Sequence, residues 1–147
     1  MALRNKLTRD VLFFIKDDLN NNITDPISNR ASNSAFVMTS FPERNVVYPV
    51  IVITLTNQEE TRAGMQTTAM DIDMFIEVRV WSKSVTQSDK LMQDIAERLR
   101  VIQFSSSGSV DNDFHDFSIL SNLRVDEPGK GGVKSRIIQV NYRFFNV

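Results

Sequence analysis

From residue 70 to residue 81 the chain alternates between two kinds of side chain. Met70, Ile72, Met74, Ile76, Val78 and Val80 are apolar, and Asp71, Asp73, Phe75, Glu77, Arg79 and Trp81 stand between them. A period of two puts the first set on one face of a strand and the second on the other. The segment therefore predicts a β-strand with one buried face and one largely charged face. Strands commonly run ~5–6 residues, so one this long is expected to outrun the domain around it.

The rest of the chain supplies what such a strand needs on its buried side. Leu7, Val11, Phe14, Ile15 and Leu19 recur at helical spacing and predict an N-terminal helix, closed by Asn20-Asn21-Asn22. Residues 20–34 read as a loop. Ala35 to Thr39 is a short strand candidate, and Phe41 to Asn45 a turn. Val46 to Thr56 is the most β-prone run, with Val50, Ile51, Val52 and Ile53 apolar on both faces; it predicts a strand covered on both sides and central in its sheet. The polar residues Asn57 to Gly64 read as a connecting loop.

After the alternating strand, Ser84-Val85-Thr86-Gln87 fits a capping box that opens a second helix. Its buried stripe is Leu91, Met92, Ile95, Ala96, Leu99 and Ile102, with Asp94 and Arg98 as an i,i+4 pair outside. Ser105 to Ser109 reads as a linker. Phe117 to Val125 and Lys134 to Phe145 predict two strands of a hairpin with a glycine-rich tip at Gly129-Lys130-Gly131-Gly132. The order is helix, three strands, helix, two strands. This predicts an α+β fold over residues 1–147 as one domain: a mainly antiparallel sheet of about five strands with two helices packed on one face.

Composition narrows the chemistry. The 147 residues contain no cysteine, so disulfides, thiolate nucleophiles and thiolate metal sites are excluded. Lys and Arg number 17 against 18 Asp and Glu, a net charge of −1, and a phosphate-binding basic face is not demanded. No apolar run approaches the ~20 residues of a membrane span, and Asp10 interrupts any signal-like start, so a soluble cytoplasmic product is expected. The single histidine, His115, limits every histidine-based mechanism. Asp111, Asp113 and His115 would share one side of an extended segment, which is the arrangement a small metal-dependent enzyme would use. The offsets of a calcium loop are absent there, and a solvated acidic loop is the reading preferred. The glycine cluster enters a strand and not a helix, unlike a phosphate loop. No catalytic residue, cofactor or metal is expected.

The polar face of the long strand is the better lead. Asp71, Asp73, Phe75, Glu77, Arg79 and Trp81 mix charges with two aromatics, a combination suited to a specific subunit interface. Homo-oligomeric assembly is the simplest expectation, and reversing Arg79 should weaken it at little cost in stability.

Two stretches carry a family resemblance. Tyr48-Pro49-Val50-Ile51-Val52-Ile53, after an N-terminal helix, resembles part of the pattern in tail terminator proteins of long-tailed bacteriophages. So does Val78-Arg79-Val80-Trp81-Ser82-Lys83-Ser84, followed by the helix from Ser88 through Arg100. The resemblance spans nearly the whole chain in element order and size. It implies a virion protein, made in the host cytoplasm, that forms a six-subunit ring on the head-proximal end of the tail tube. Such a ring ends tube polymerisation. Its implied partners are further copies of itself, the tail tube protein and the head connector or neck protein, with DNA passing through the ring and no specific nucleic acid contact or membrane. Head–tail adaptor, head-closure and baseplate proteins are the neighbouring roles.

Overall fold

The alternation at residues 70–81 becomes the middle of a sheet. A computed structural model describes residues 8–27, 35–40, 47–62, 64–65, 70–104, 116–126 and 133–146. Its elements are α1 (Thr8–Asn22), β1 (Val37–Met38), β2 (Val50–Arg62), β3 (Met70–Ser82), α2 (Val85–Phe104), β4 (Asp116–Asp126) and β5 (Lys134–Asn146). The strands lie in the order β1-β2-β3-β5-β4. β1 runs parallel to β2 through Val37 opposite Ile51 and Met38 opposite Val52, and the other three pairings are antiparallel. The fold is α+β, as the sequence predicts.

Even-numbered residues of β3 form the floor of the core. Met74, Ile76, Val78 and Val80 are fully buried and join Ile51 and Ile53 from β2 and Ile138, Val140 and Tyr142 from β5. The helices close this cluster with Val11, Ile15 and Leu19 from α1 and the whole predicted stripe of α2. Each buried aliphatic side chain contributes about 1.5–3 kcal/mol against exposure, which is why the periodic positions and not propensity fix the elements.

Several expectations need correction. The loop expected at residues 57–64 is strand as far as Arg62, because β3 pairs with it residue by residue and satisfies its backbone. Its side chains are polar on both faces since most of them are exposed, beyond the buried stretch at Val50–Ile53. A bulge between Leu55 and Asn57 marks the change. The central strand is β3, and among the described residues β2 has only the short β1 outside it. Val50 to Ile53 are nonetheless buried on both faces, as their apolar run implies.

At the start of α2 the capping box is altered. The Gln87 N–H reaches Ser84 Oγ at 3.4 Å, while the Gln87 side-chain oxygen accepts from the buried Ser82 hydroxyl at 2.9 Å. Ser82 Oγ also accepts the Ser84 N–H at 3.1 Å, so the last residue of β3 fastens the first turn of the helix. The expected pair of Asp94 with Arg98 gives way to a pair between the helices: Arg98 donates to Asp18 on α1. The turn at residues 41–45, the serine run at 105–109, the Asp111–Asp113–His115 cluster and the glycine tip at 129–132 lie outside the described residues.

Candidate assembly interface

Asp71, Asp73, Phe75, Glu77, Arg79 and Trp81 all lie on the face of β3 turned away from the helices, each half-buried. Register sets their neighbours. On one side stand Thr61, Glu59, Asn57, Thr54, Val52 and Val50 of β2; on the other stand β5 residues from Phe145 to Ser135 at every second position. This outer face divides into two halves of different character.

The half toward Ser82 is closed. Val50, Val52, Ser135 and Ile137 belong to the outer face by register, yet none is more than 5% exposed. Between them the Arg79 guanidinium bonds Glu77 at 3.2 Å and stacks over the Trp81 ring at 5.2 Å. Glu77, Arg79 and Trp81 thus form a ladder along one strand edge to edge, an ion pair continued by a cation–π contact. A guanidinium held between a carboxylate and an indole, a quarter exposed, supports the monomer itself.

The half toward Met70 is charged, and open along its β2 flank, where Asn57, Glu59 and Thr61 are exposed. Arg143 on β5 directs its guanidinium onto both oxygens of Asp71, with Nε at 2.9 Å from Oδ1. Asp73 lies directly between Glu59 and Arg143 in register. Two carboxylates therefore hold opposite register positions across β2 and β3, an arrangement unfavourable by itself, with Arg143 opposite Asp73 on the other side. Phe75 completes this half between Asn57 and Asn141, and the Thr56 hydroxyl at the bulge donates to its carbonyl at 2.9 Å. Sequence reasoning missed Glu59 and Arg143. Glu59 falls in the expected loop, and Arg143 in a strand read only as one arm of a hairpin; an i, i+2 count along β5 places Arg143 on this face, whereas the Leu55/Asn57 bulge shifts the count on β2 and hides Glu59.

Other chemistry is sparse. Among the described residues no three of His, Cys, Asp and Glu stand close enough to hold a metal ion. In the helix layer the Asp18 hydrogen bond, helped by its charge, raises the Arg98 pKa against the opposing effect of burial. No helix among the described residues is long and apolar enough to cross a membrane.

The elements and register define an α+β subunit whose mixed five-stranded sheet has helices on one face and a divided polar face on the other. Neither a protein-family model nor a curated protein sequence matches the chain. Among solved structures, the fold is similar to a chain in the virion of a native gene transfer agent (GTA) particle, with a TM-score of 0.54 over 76% of this chain and 79% of that one. The two are 9% identical, so the likeness is one of fold.

Proposed function

We propose that this chain is a structural protein of a virion, acting as a tail terminator and not as an enzyme. Copies of it form a ring, of six subunits, on the head-proximal end of the tail tube; the ring ends tube polymerisation and joins the tail to the head connector. The observation that carries the reading is the shared fold with a chain of the GTA virion over three quarters of the sequence. The family resemblance of the Tyr48–Ile53 and Val78–Ser84 stretches supports the finer role. The open half of the outer face, with Asp71, Asp73 and Phe75 from the long strand and Glu59 and Arg143 beside them, supplies the subunit contact. Its charges set register and its aromatic ring supplies buried area. Glu77, Arg79 and Trp81 complete the face and hold its closed half in shape.

Tube growth in the presence of this protein tests the role. With the tube protein of the same particle, short tubes bearing a ring at one end are expected in electron micrographs. Tubes of unchanged length with no ring contradict it. Binding to the connector without capping the tube would assign the head–tail adaptor role instead.

A further inference from the structure

The sheet has two unlike edges. On one, β1 covers β2 only at Ile51 and Val52, and among the described residues no strand lies along the stretch from Thr54 to Arg62. On the other, β4 is the last strand among the described residues. Successive antiparallel pairings from β2 through β3 and β5 leave β4 running opposite to β2. A second copy, rotated about an axis along the strands, therefore brings its β2 antiparallel to the β4 of the first.

Backbone direction along these edges follows from three hydrogen bonds. The Ile51 N–H donates to the Phe36 carbonyl at 2.8 Å, so odd residues of β2 before the bulge face outward. The Thr56 hydroxyl reaches the Phe75 carbonyl, and the Asn141 side chain reaches the Met74 carbonyl at 3.5 Å. Odd residues of β3 thus face β2, and even ones face β5. Past the Leu55/Asn57 bulge the outward set of β2 switches, and Glu60 and Arg62 turn their N–H and C=O groups to the outer edge. The same alternation, carried through β5 and the Ile119/Ser121 bulge, turns Asn122, Arg124 and Asp126 outward on β4.

Both sets take register positions on the helix side. Glu60 is the partner of buried Ile72, and Arg124 is the partner of Arg136, which bonds Asp89 of α2. The stretches from bulge to strand end, Asn57 to Arg62 and Ser121 to Asp126, are equal in length. We propose that β2 of one copy pairs with β4 of the next, Glu60 opposite Arg124, so that one antiparallel sheet continues from subunit to subunit. Arg62 then falls opposite Asn122. Residues of opposite charge then hold facing register positions, and the outward backbone groups of each edge meet their complements. The contact joins unlike edges, so it propagates head to tail, and it closes as a ring where the rotation per subunit divides a full turn. It shares with the proposed function only the ring: a continuous sheet turns the outer face of β3 to the wall of the ring, so the edge pairing is an alternative to the face contact given above, and the cross-link decides between them.

The chain has no cysteine, so introduced ones report cleanly. Glu60→Cys and Arg124→Cys proteins are mixed under mild oxidation, with and without tube protein, up to the solubility limit. Paired residues at ~5.5 Å between Cα atoms are within disulfide reach. A disulfide-linked dimer is expected in the mixture and in neither protein alone. Linking within Glu60→Cys alone would overturn the proposal in favour of a twofold β2–β2 contact. A ring counted by native mass spectrometry but never cross-linked overturns the edge pairing and leaves the proposed function standing. A chain that stays monomeric throughout overturns both. Independently, Glu60→Arg should raise the dissociation constant about fivefold, and adding Arg124→Glu should restore it; failure of the double reversal to restore it overturns the register.

Discussion

Asp18 and Arg98, eighty residues apart, meet in a two-pronged ion pair that ties α1 to α2: Arg98 Nε lies 2.6 Å from one carboxylate oxygen and Nη2 lies 2.9 Å from the other. The Asp18 carboxylate is almost entirely buried, while Arg98 keeps partial contact with water. Fork-to-fork geometry of this kind fixes both distance and angle between the helices. Removing one partner leaves the other charge desolvated, which costs more than the bond itself contributes.

Asp18→Ala is therefore expected to lower stability by about 2–3 kcal/mol, discounted for the partly exposed guanidinium. A urea titration checks this through the midpoint at constant slope. A loss under roughly 0.5 kcal/mol would mean that the pair is replaced by water at no cost.

The same pair has a defined pH signature. The hydrogen bond to Asp18 raises the Arg98 pKa, so the stability Arg98 contributes is fully present below the ordinary arginine pKa. It is lost only as pH rises through the still higher folded value. Comparing wild type with Arg98→Met, the difference in stability is expected to stay constant from pH 6 to pH 10 (about four units, all below that window). A difference that shrinks across this range would contradict the assignment.

The α2 stripe carries the largest share of the core. Ile95→Ala and Leu99→Ala, both at fully buried positions, should each cost about 2–5 kcal/mol in thermal or chemical unfolding. Values under about 1 kcal/mol would mean that the helix does not seal the sheet.

Much of this was readable from periodicity. The strict alternation at Met70–Trp81 and the 3.6-residue stripe at Leu91–Ile102 each match one template, and both formed where expected. The strand at Asn57–Arg62 did not announce itself, because a strand exposed on both faces has no apolar period to detect. Nor did the partner of Arg98: local spacing offered Asp94, and the tertiary fold offered a buried carboxylate with two acceptor oxygens. The division of the outer face was hidden for a similar reason. It depends on the burial of Val50, Val52 and Ile137, which is set by packing across three strands and not by any one of them.

That division changes what charge reversal should do. Arg79→Glu breaks the contacts with Glu77 and Trp81 and sets two carboxylates side by side, so it is expected to destabilise the monomer by about 1–2 kcal/mol, contrary to the surface behaviour its sequence suggests. Glu59→Lys, at an exposed position on the open half, should leave monomer stability within about 0.5 kcal/mol and weaken assembly. Sedimentation of both variants separates the two effects. Normal assembly of Glu59→Lys would remove the open half from the subunit contact.

His115→Ala is expected to leave assembly intact, since no chemical role is assigned to that residue. Addition of a chelator should likewise leave the melting temperature unchanged. Loss of function in a folded, assembling variant would reopen the enzymatic reading.

The most direct measurement is a cryo-electron microscopy structure of the assembled particle. The account predicts a ring of this chain at the head-proximal end of the tail tube, with Asp71, Asp73 and Phe75 of each subunit against its neighbour. A particle in which the chain lies elsewhere, or in which that face looks onto open solvent, would contradict it.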